Sequence, residues 1–218
     1  MVKGVVFDMD GTLVDNMDFH RQAWLEFLAR YDIHISDEEF HEKNIGIITE
    51  IVPRFFPGKL SKEEIIRLGK EKEAVYRNLY GKHIEALTGL ETFLQALQEA
   101  QIAIALATAA DQGNIDFTLD ALGIRNYFSA ITGSEEVSHG KPPPDVYLKS
   151  AAKLRLDPVL CVAFEDTPSG IRSAQAAGMQ VVGLATTHTR TELQDFELLA
   201  IIENYKGLSP ASLLNTAT

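Results

Sequence analysis

The chain has 218 residues, of which 45% are hydrophobic and 23% are charged, a composition typical of globular proteins that excludes a disordered or fibrous one. Acidic residues outnumber basic ones by 31 to 20, and the net charge of -11 argues against nucleic acid or an anionic membrane as a partner. One cysteine, no 18-residue apolar run and no signal-peptide pattern predict a cytoplasmic protein, and the lack of a heptad array predicts a monomer.

Short apolar runs alternate with segments of helical periodicity along most of the chain. This alternation predicts an α/β fold with a doubly wound parallel sheet, because parallel strands need helical crossovers between them. Cys161 lies inside one of these runs, so we expect a buried, inert thiol. The predicted strands are Val2–Phe7, Ile102–Ala107, Ala130–Thr132, Leu160–Phe164, Val181–Ala185 and Ala200–Ile202.

The chain between the first two predicted strands is far longer than the dozen or so residues that a crossover requires. Four segments in it carry apolar residues at three-and-four spacing, which is typical of amphipathic helices. We therefore predict a small α-helical cap domain at residues 16–82, inserted into an α/β core formed by residues 1–15 and 83–218. The helical segments are Phe19–Leu28, Asp37–Lys43, Thr49–Phe56 and Glu63–Tyr80.

Two carboxylates follow the first predicted strand, in the segment Asp8-Met9-Asp10-Gly11-Thr12. Residues two apart in a strand point the same way, so both acids would leave the strand end together. Their charges would repel each other unless a cation lay between them, and Mg²⁺ prefers such oxygen ligands. A solvated turn is the alternative interpretation, because Asp and Gly are common turn residues.

A hydroxyl, a lysine and two more acids follow later strands. Thr108 and Ala109 come between the second strand and a helix, where a hydroxyl and free backbone N–H groups suit a phosphate. Lys141 precedes three prolines that restrict the backbone, and Glu165 and Asp166 end an apolar strand before another helix. Taken singly, Thr108 and Asp166 could be helix N-caps, and Lys141 could be a solvated side chain.

Taken together and in this order, the four segments resemble the motifs of the haloacid dehalogenase superfamily of phosphotransferases, over essentially the whole chain. The insertion resembles the small-helical-cap branch of that superfamily, and residues 16–24 are similar to the first cap helix of its β-phosphoglucomutase-like members. The resemblance implies a Rossmann-like core and a Mg²⁺ cofactor. The positions that match the motifs are Asp8, Asp10, Thr108, Lys141, Glu165 and Asp166.

The resemblance also implies a role for each matched residue. Asp8 would attack phosphorus to form an aspartyl phosphate, and Asp10 would protonate the leaving oxygen and then activate water. The ligands of Mg²⁺ would be the Asp8 side chain, the Asp10 backbone carbonyl and Asp166, with Glu165 as a further ligand, direct or through water. The phosphate oxygens would be held by Thr108, Ala109 and Lys141.

The presence of Asp10 favours phosphate chemistry over dehalogenation, because an alkoxide leaving group needs an acid and a halide does not. The sequence contains no G-x-x-x-x-G-K-[ST] segment, which excludes a P-loop kinase. A phosphonatase would require a cap lysine that forms a Schiff base. The alternative that is not an enzyme is a catalytically silent protein that binds a metal or a ligand.

The cap is expected to select the leaving group, and here the chain departs from the mutases. Ile45 and Thr49 stand beside Gly46 where β-phosphoglucomutases carry a Lys and an Arg that grips a second phosphate. His20 and Lys72 do match cap positions of the mutases. The alternatives are a histidine packed near Trp24 on a helix face and a solvated lysine. We therefore predict a Mg²⁺-dependent phosphatase of small phosphorylated metabolites, most of all sugar phosphates, with a β-phosphoglucomutase-like phosphohexomutase as the alternative.

Overall fold

Six parallel strands form one sheet in the computed structural model, which describes residues 2–214: β1 (Gly4–Phe7), β2 (Ala103–Ala107), β3 (Ala130–Thr132), β4 (Cys161–Glu165), β5 (Gln180–Leu184) and β6 (Ala200–Ile202). Their order across the sheet is β3-β2-β1-β4-β5-β6. The predicted α/β class is confirmed, as are all six predicted strands, with ends that differ by two residues at most.

In the described part of the chain, ten α-helices connect or flank the strands. None of them combines the length and the apolarity that a bilayer-spanning helix needs. The helices are α1 (Met17–Ala29), α2 (Asp37–Lys43), α3 (Ile48–Phe55), α4 (Lys62–Tyr80), α5 (Leu90–Glu99), α6 (Gln112–Leu122), α7 (Asp145–Leu154), α8 (Pro168–Ala176), α9 (Arg190–Leu193) and α10 (Pro210–Leu214).

Helices cover both faces of the sheet because successive strand residues point to opposite sides. Val5 and Phe7 of β1 belong to the hydrophobic cluster that contains α5 and α6, whereas Val6 belongs to the cluster that contains α7 and α8. Cys161 lies in the second cluster, where burial raises the pKa of its thiol to about 11. The prediction that Cys161 is buried is confirmed, and its inertness stays a prediction.

The parallel register brings the carboxyl ends of the central strands to one edge. Phe7 of β1 pairs with Leu106 of β2 on one side and with Phe164 of β4 on the other. The residues that follow these three positions therefore leave the sheet side by side. This edge is where open parallel sheets bind ligands.

Helices α1 to α4, which we call the cap, pack around a hydrophobic cluster of their own that includes Trp24, Phe55 and Tyr76. The chain enters and leaves the cap side by side, because Leu87 N donates a 2.9 Å hydrogen bond to Leu13 O. All four predicted cap helices are present. The exact division of the chain at residues 16 and 82 stays a prediction.

Candidate active site

Three buried carboxylates meet at the carboxyl edge of the sheet. Asp8 follows β1, Glu165 ends β4 and Asp166 follows it, and one oxygen from each lies within 4.8 Å of the other two. Burial is the main cause that raises the pKa of Asp8 to about 7. Lys141 opposes this rise, and the repulsion from Glu165 adds to it. Three acids in so small a buried volume need a compensating positive charge.

Lys141 supplies part of that charge. Its Nζ lies 2.6 Å from Asp8 Oδ1 and 2.5 Å from Glu165 Oε1, and the Tyr147 hydroxyl donates to the same Glu165 oxygen at 2.7 Å. Burial lowers the pKa of Lys141, but the two carboxylates outweigh it and leave that pKa above its ordinary value. The alternative of a solvated lysine is wrong, since the residue is 8% exposed.

Asp166 provides the strongest indication that this cluster can bind a cation. Its Oδ1 accepts a 3.3 Å hydrogen bond from Thr12 Oγ1, whereas its buried Oδ2 has no hydrogen-bond partner among residues 2–214. Burial, followed by the repulsion from Glu165 and Asp8, raises its pKa well above the ordinary value. Such an orphaned oxygen beside two further carboxylates fits an oxygen-seeking divalent cation such as Mg²⁺.

The backbone around these acids is shaped to let them meet. Gly11 has a φ of +74°, and a Cβ at that position would collide with the Asp166 carboxylate. Asp166 does not cap the helix that follows, because the Thr167 hydroxyl accepts the hydrogen bond from Gly170 N at 3.1 Å. The alternative interpretation of Asp166 as an N-cap is therefore wrong.

The Asp10 side chain lies outside the three-carboxylate cluster and is held by groups at the cap. Its Oδ1 accepts a 2.6 Å hydrogen bond from Asn16 Nδ2 and lies 3.5 Å from His20 Nε2. Burial tends to raise the pKa of Asp10, but His20 and Asn16 together hold it below its ordinary value. The two carboxylates of the first motif thus occupy different environments, which suits different roles.

His20 connects Asp10 to Lys72 in the cap. The His20 ring stacks on Tyr76, with ring centroids 3.8 Å apart, and its Nδ1 lies 3.0 Å from Lys72 Nζ. Lys72 is 2% exposed, so the solvated alternative is wrong. The alternative for His20 named packing near Trp24, whereas the ring stacks on Tyr76. The same ring also lies against the Asp10 carboxylate.

The segment after β2 lies against the same cavity. The Thr108 hydroxyl accepts a 3.1 Å hydrogen bond from Ala110 N, and Thr108 is buried. The N-cap of α6 is Asp111, whose side chain accepts from Asn114 N at 2.8 Å, so the N-cap alternative for Thr108 is wrong. Thr108 and Ala109 line the cavity that Asp8 and Lys141 also line.

This cavity, with a volume of about 160 Å³, lies between the sheet edge and the cap. Gly46 lines it from the cap with a φ of +107°, in the loop ahead of α3. That loop touches the core so closely that a Cβ on Gly140 would lie 2.7 Å from the Gly46 Cα. Every site residue predicted from the sequence, apart from the buried acids Glu165 and Asp166 beneath the cavity, lines it: Asp8, Asp10, His20, Gly46, Lys72, Thr108, Ala109 and Lys141.

The sequence interpretation missed several polar residues of the site. Asn16 is fully buried; its Oδ1 accepts from Gly11 N at 3.1 Å, and its Nδ2 also lies 2.7 Å from the Tyr76 hydroxyl. Glu73 and Asn114 line the cavity and bond to each other across the cap and the core. An asparagine at a helix start and a glutamate beside a lysine are ordinary surface patterns, so neither gave a signal.

Comparison with known proteins places the chain in a family. The family model of haloacid dehalogenase-like hydrolases matches residues 5–184. The chain is 30% identical over 179 residues to the fructose-1-phosphate phosphatase YqaB of Escherichia coli, a match that covers 82% of this chain and 94% of that protein. It is 32% identical over 191 residues to the β-phosphoglucomutase of Bacillus subtilis, covering 84% and 83% of the two chains.

The solved structures agree with the sequence comparison. The crystal structure of a β-phosphoglucomutase from Clostridium difficile matches with a TM-score of 0.87 and 25% identity, over 99% of this chain and 97% of that one. The chain therefore belongs to the haloacid dehalogenase-like hydrolases, and the family resemblance drawn from the sequence is confirmed.

Proposed function

We propose that this enzyme is a Mg²⁺-dependent phosphatase that hydrolyses small phosphorylated metabolites, most of all sugar phosphates, through an aspartyl phosphate on Asp8. The family assignment sets the coarser frame of a phosphatase or phosphomutase related to sugar phosphatases. The observation that carries the proposal is the pairing of Asp8 with Lys141 at 2.6 Å, in a cavity where Asp10 faces the cap.

In the first step, a carboxylate oxygen of Asp8 attacks phosphorus and the ester P–O bond breaks. Asp10 donates a proton to the departing oxygen, so the metabolite leaves as an alcohol rather than an alkoxide. Lys141, with Thr108 and the backbone at Ala109, holds the non-transferring phosphate oxygens and offsets their charge. Asp8 and Asp10 are both positioned at the same edge of the sheet before the substrate binds, which favours in-line transfer.

In the second step, Asp10 takes a proton from water, which attacks phosphorus and releases phosphate and the free Asp8 carboxylate. The neighbours of Asp10 keep its pKa below the ordinary value, so it is an ionised base at this stage. The first step needs its protonated form, and a phosphate dianion placed beside it supplies the negative charge that raises its pKa. One group thereby serves in both directions.

The acids present fit Mg²⁺ as the cofactor. Asp8 and Asp166 would hold the ion with their side chains and Asp10 with its backbone carbonyl, while Glu165 would contribute directly or through water. When bound, the ion would neutralise the phosphoryl oxygens and lower the repulsion that Asp8 meets as it approaches them. The orphaned Asp166 Oδ2 is the specific observation that supports this assignment.

The residues of the cap fit a phosphatase better than a phosphomutase that works through a sugar bisphosphate. Ile45 and Thr49 offer no charge beside Gly46, and the guanidinium of Arg54 donates to the backbone carbonyls of Lys43 and Ile45 instead of entering the cavity. In the described part of the chain no arginine lines the cavity. A phosphomutase must bind two phosphates, whereas a phosphatase requires one phosphate site and access for water.

A Schiff-base mechanism of the phosphonatase type is disfavoured by the cap lysine. Lys72 Nζ lies 3.0 Å from Glu73 Oε1 and 3.0 Å from His20 Nδ1, so it would have to leave both partners to attack a carbonyl carbon.

The test is a single incubation with Mg²⁺, β-glucose 1-phosphate and a trace of glucose 1,6-bisphosphate, with inorganic phosphate and glucose 6-phosphate assayed in the same tube. We expect phosphate release to exceed the formation of glucose 6-phosphate. Asp8→Asn should abolish both signals. Glucose 6-phosphate that accumulates faster than phosphate would establish the phosphomutase instead.

A further inference from the structure

Glu73 is a buried acid that has no role in the proposed phosphoryl-transfer mechanism. It lies on α4 in the cap, lines the cavity and has a side chain only 9% exposed. Lys72 Nζ lies 3.0 Å from its Oε1, and Asn114 Nδ2 donates to its Oε2 at 2.7 Å. Asn114 belongs to α6 of the core, and its Oδ1 accepts from Arg77 NH1 at 2.7 Å. The carboxylate is therefore fixed in one orientation between the cap and the core.

Each oxygen of an ionised carboxylate can accept about two hydrogen bonds, so this fixed group keeps acceptor capacity toward the cavity. Burial tends to raise the pKa of Glu73, but Lys72, His20 and Asn114 outweigh it and keep the pKa below its ordinary value. An ionised, oriented acceptor suits a hydroxyl group of a bound molecule.

Among the described residues, each lysine that lines the cavity already faces an acid, and the one at the cap end faces Glu73 itself. The two lysines that line the cavity are already paired, Lys72 with Glu73 and Lys141 with Asp8 and Glu165. Asp111 adds a further acid to the cavity wall. A second phosphate at the cap end would meet the Glu73 carboxylate, and among the residues described no arginine lines the cavity, because Arg77 lies behind Asn114 and donates to it. In a cavity of about 160 Å³ this repulsion is poorly screened.

We propose that Glu73 is a specificity-determining residue that binds a hydroxyl of the leaving group and repels a second phosphate. The substrate class is then a monophosphate of a neutral sugar or polyol, and bisphosphates are rejected. This inference rests on the proposed function, which names the leaving group, and it adds the residue that selects it.

The test measures binding apart from turnover. Asp8→Asn protein with Mg²⁺ is titrated calorimetrically with fructose 1-phosphate and with fructose 1,6-bisphosphate, and we expect the monophosphate to bind at least about tenfold tighter. Adding Glu73→Gln should reduce this ratio at least about tenfold, chiefly by strengthening the bisphosphate complex. Equal affinities, tighter binding of the bisphosphate, no binding of either ligand, or a ratio unchanged by Glu73→Gln would each overturn the inference.

Two further variants separate charge from structure. Glu71→Gln removes the same charge two residues away, where the side chain is 42% exposed, and should leave the ratio unchanged. Glu73→Asp keeps the charge on a shorter side chain, so it should still exclude the bisphosphate while it weakens the monophosphate. If Glu73→Gln and Glu73→Asp weaken both ligands equally, Glu73 is structural and the inference is wrong.

Turnover of the unmodified enzyme keeps the two proposals distinguishable. If the enzyme releases no phosphate from fructose 1-phosphate or from β-glucose 1-phosphate, the proposed function is contradicted, whatever the affinity ratio. Release of phosphate with equal affinities contradicts only the role of Glu73.

Discussion

Glu50 of the cap accepts a hydrogen bond from the core at Gly140 N, over a distance of 3.3 Å. The same Glu50 oxygen accepts from Ile47 N at 3.0 Å, so one carboxylate holds the cap loop against the loop that carries Lys141. The two loops approach so closely because Gly140 has no side chain. The cap loop and the loop that carries Lys141 are thereby joined through the Glu50 side chain.

Gly140→Ala should therefore weaken substrate binding without altering the catalytic groups. The added Cβ would lie 2.5 Å from Ile47 N and 2.7 Å from Gly46, too close for the cap loop to stay in place. We expect KM for a sugar phosphate to rise about tenfold or more, with a smaller change for p-nitrophenyl phosphate. Gly113→Ala, whose Cβ would meet the flexible Arg77 side chain at 3.3 Å, is the control. Equal kinetics in the two variants would show that the loop contact is not needed.

Asp10→Ala should slow turnover by a factor that depends on the leaving group of the substrate. An alkoxide requires a proton as it departs, and loss of the general acid costs about 10² to 10⁴ in rate. The p-nitrophenolate ion leaves phosphorus without one, so the step in which Asp8 displaces it should slow much less. The measurement is kcat/KM for a sugar phosphate and for p-nitrophenyl phosphate in the variant and the unmodified enzyme. Equal losses on both substrates would count against Asp10 as the acid.

Mg²⁺ should stabilise the protein more at high pH than at low pH. The folded state raises the pKa of Asp8 from 3.8 to about 7 in the absence of a cation. Its protonated form therefore contributes stability that is fully present below about pH 3.8 and is lost as the pH rises through about 7. Mg²⁺ needs the ionised carboxylate, so it replaces protons in that range.

Thermal unfolding with and without Mg²⁺ at about pH 5.5 and about pH 8 measures this effect. We expect the larger rise in Tm at pH 8 and restoration of activity when Mg²⁺ is returned to EDTA-treated enzyme. A matched concentration of Na⁺ controls for ionic strength. Equal rises at both pH values, or full activity after complete metal removal, would contradict the assignment of the site.

Lys141→Met should destabilise the fold strongly. The ammonium is buried between Asp8 and Glu165, and removing one partner of such a cluster leaves uncompensated charge that costs roughly 3–5 kcal/mol. Lys149→Met, which removes an exposed lysine 3.6 Å from a Glu136 oxygen, should cost about 1 kcal/mol or less. Urea unfolding without Mg²⁺ at about pH 8 gives both free energies. A loss for Lys141→Met as small as that of the control would show that the acids do not depend on this lysine.

The sheet was predictable because its central strands are almost continuously apolar. Val5, Val6 and Phe7 have no exposed surface, and such a run between helical segments has few other structures available. The carboxyl ends of parallel strands lie at one edge, so Asp8, which follows β1, and Glu165, which ends β4, were expected at the same edge. Lys141 lies in a loop between β3 and α7, and only the family resemblance placed it in the site. The helical cap was predictable from the length of chain that separates β1 from β2.

The remaining polar partners of the site depend on contacts between distant parts of the chain. Glu73 meets Asn114 across 41 residues, and Asn16 meets Tyr76 across 60. Local patterns carry no information about such pairs, since the same residues are common on helix surfaces. The N-cap alternatives for Thr108 and Asp166 were wrong because residues further along the chain supply the caps: Asp111, three residues after Thr108, and Thr167, directly after Asp166.

The place of β1 at the centre of the sheet has a consequence for how the molecule opens. It is paired along its full length with β2 and β4, so its amides should exchange with solvent only when the whole core unfolds. The cap has a separate cluster and joins the core by two adjacent crossings, so its helices can open as a cooperative unit at lower free energy. We therefore expect Asp8 to follow the most protected strand, while the cap surface that we propose to recognise the substrate belongs to the less protected unit.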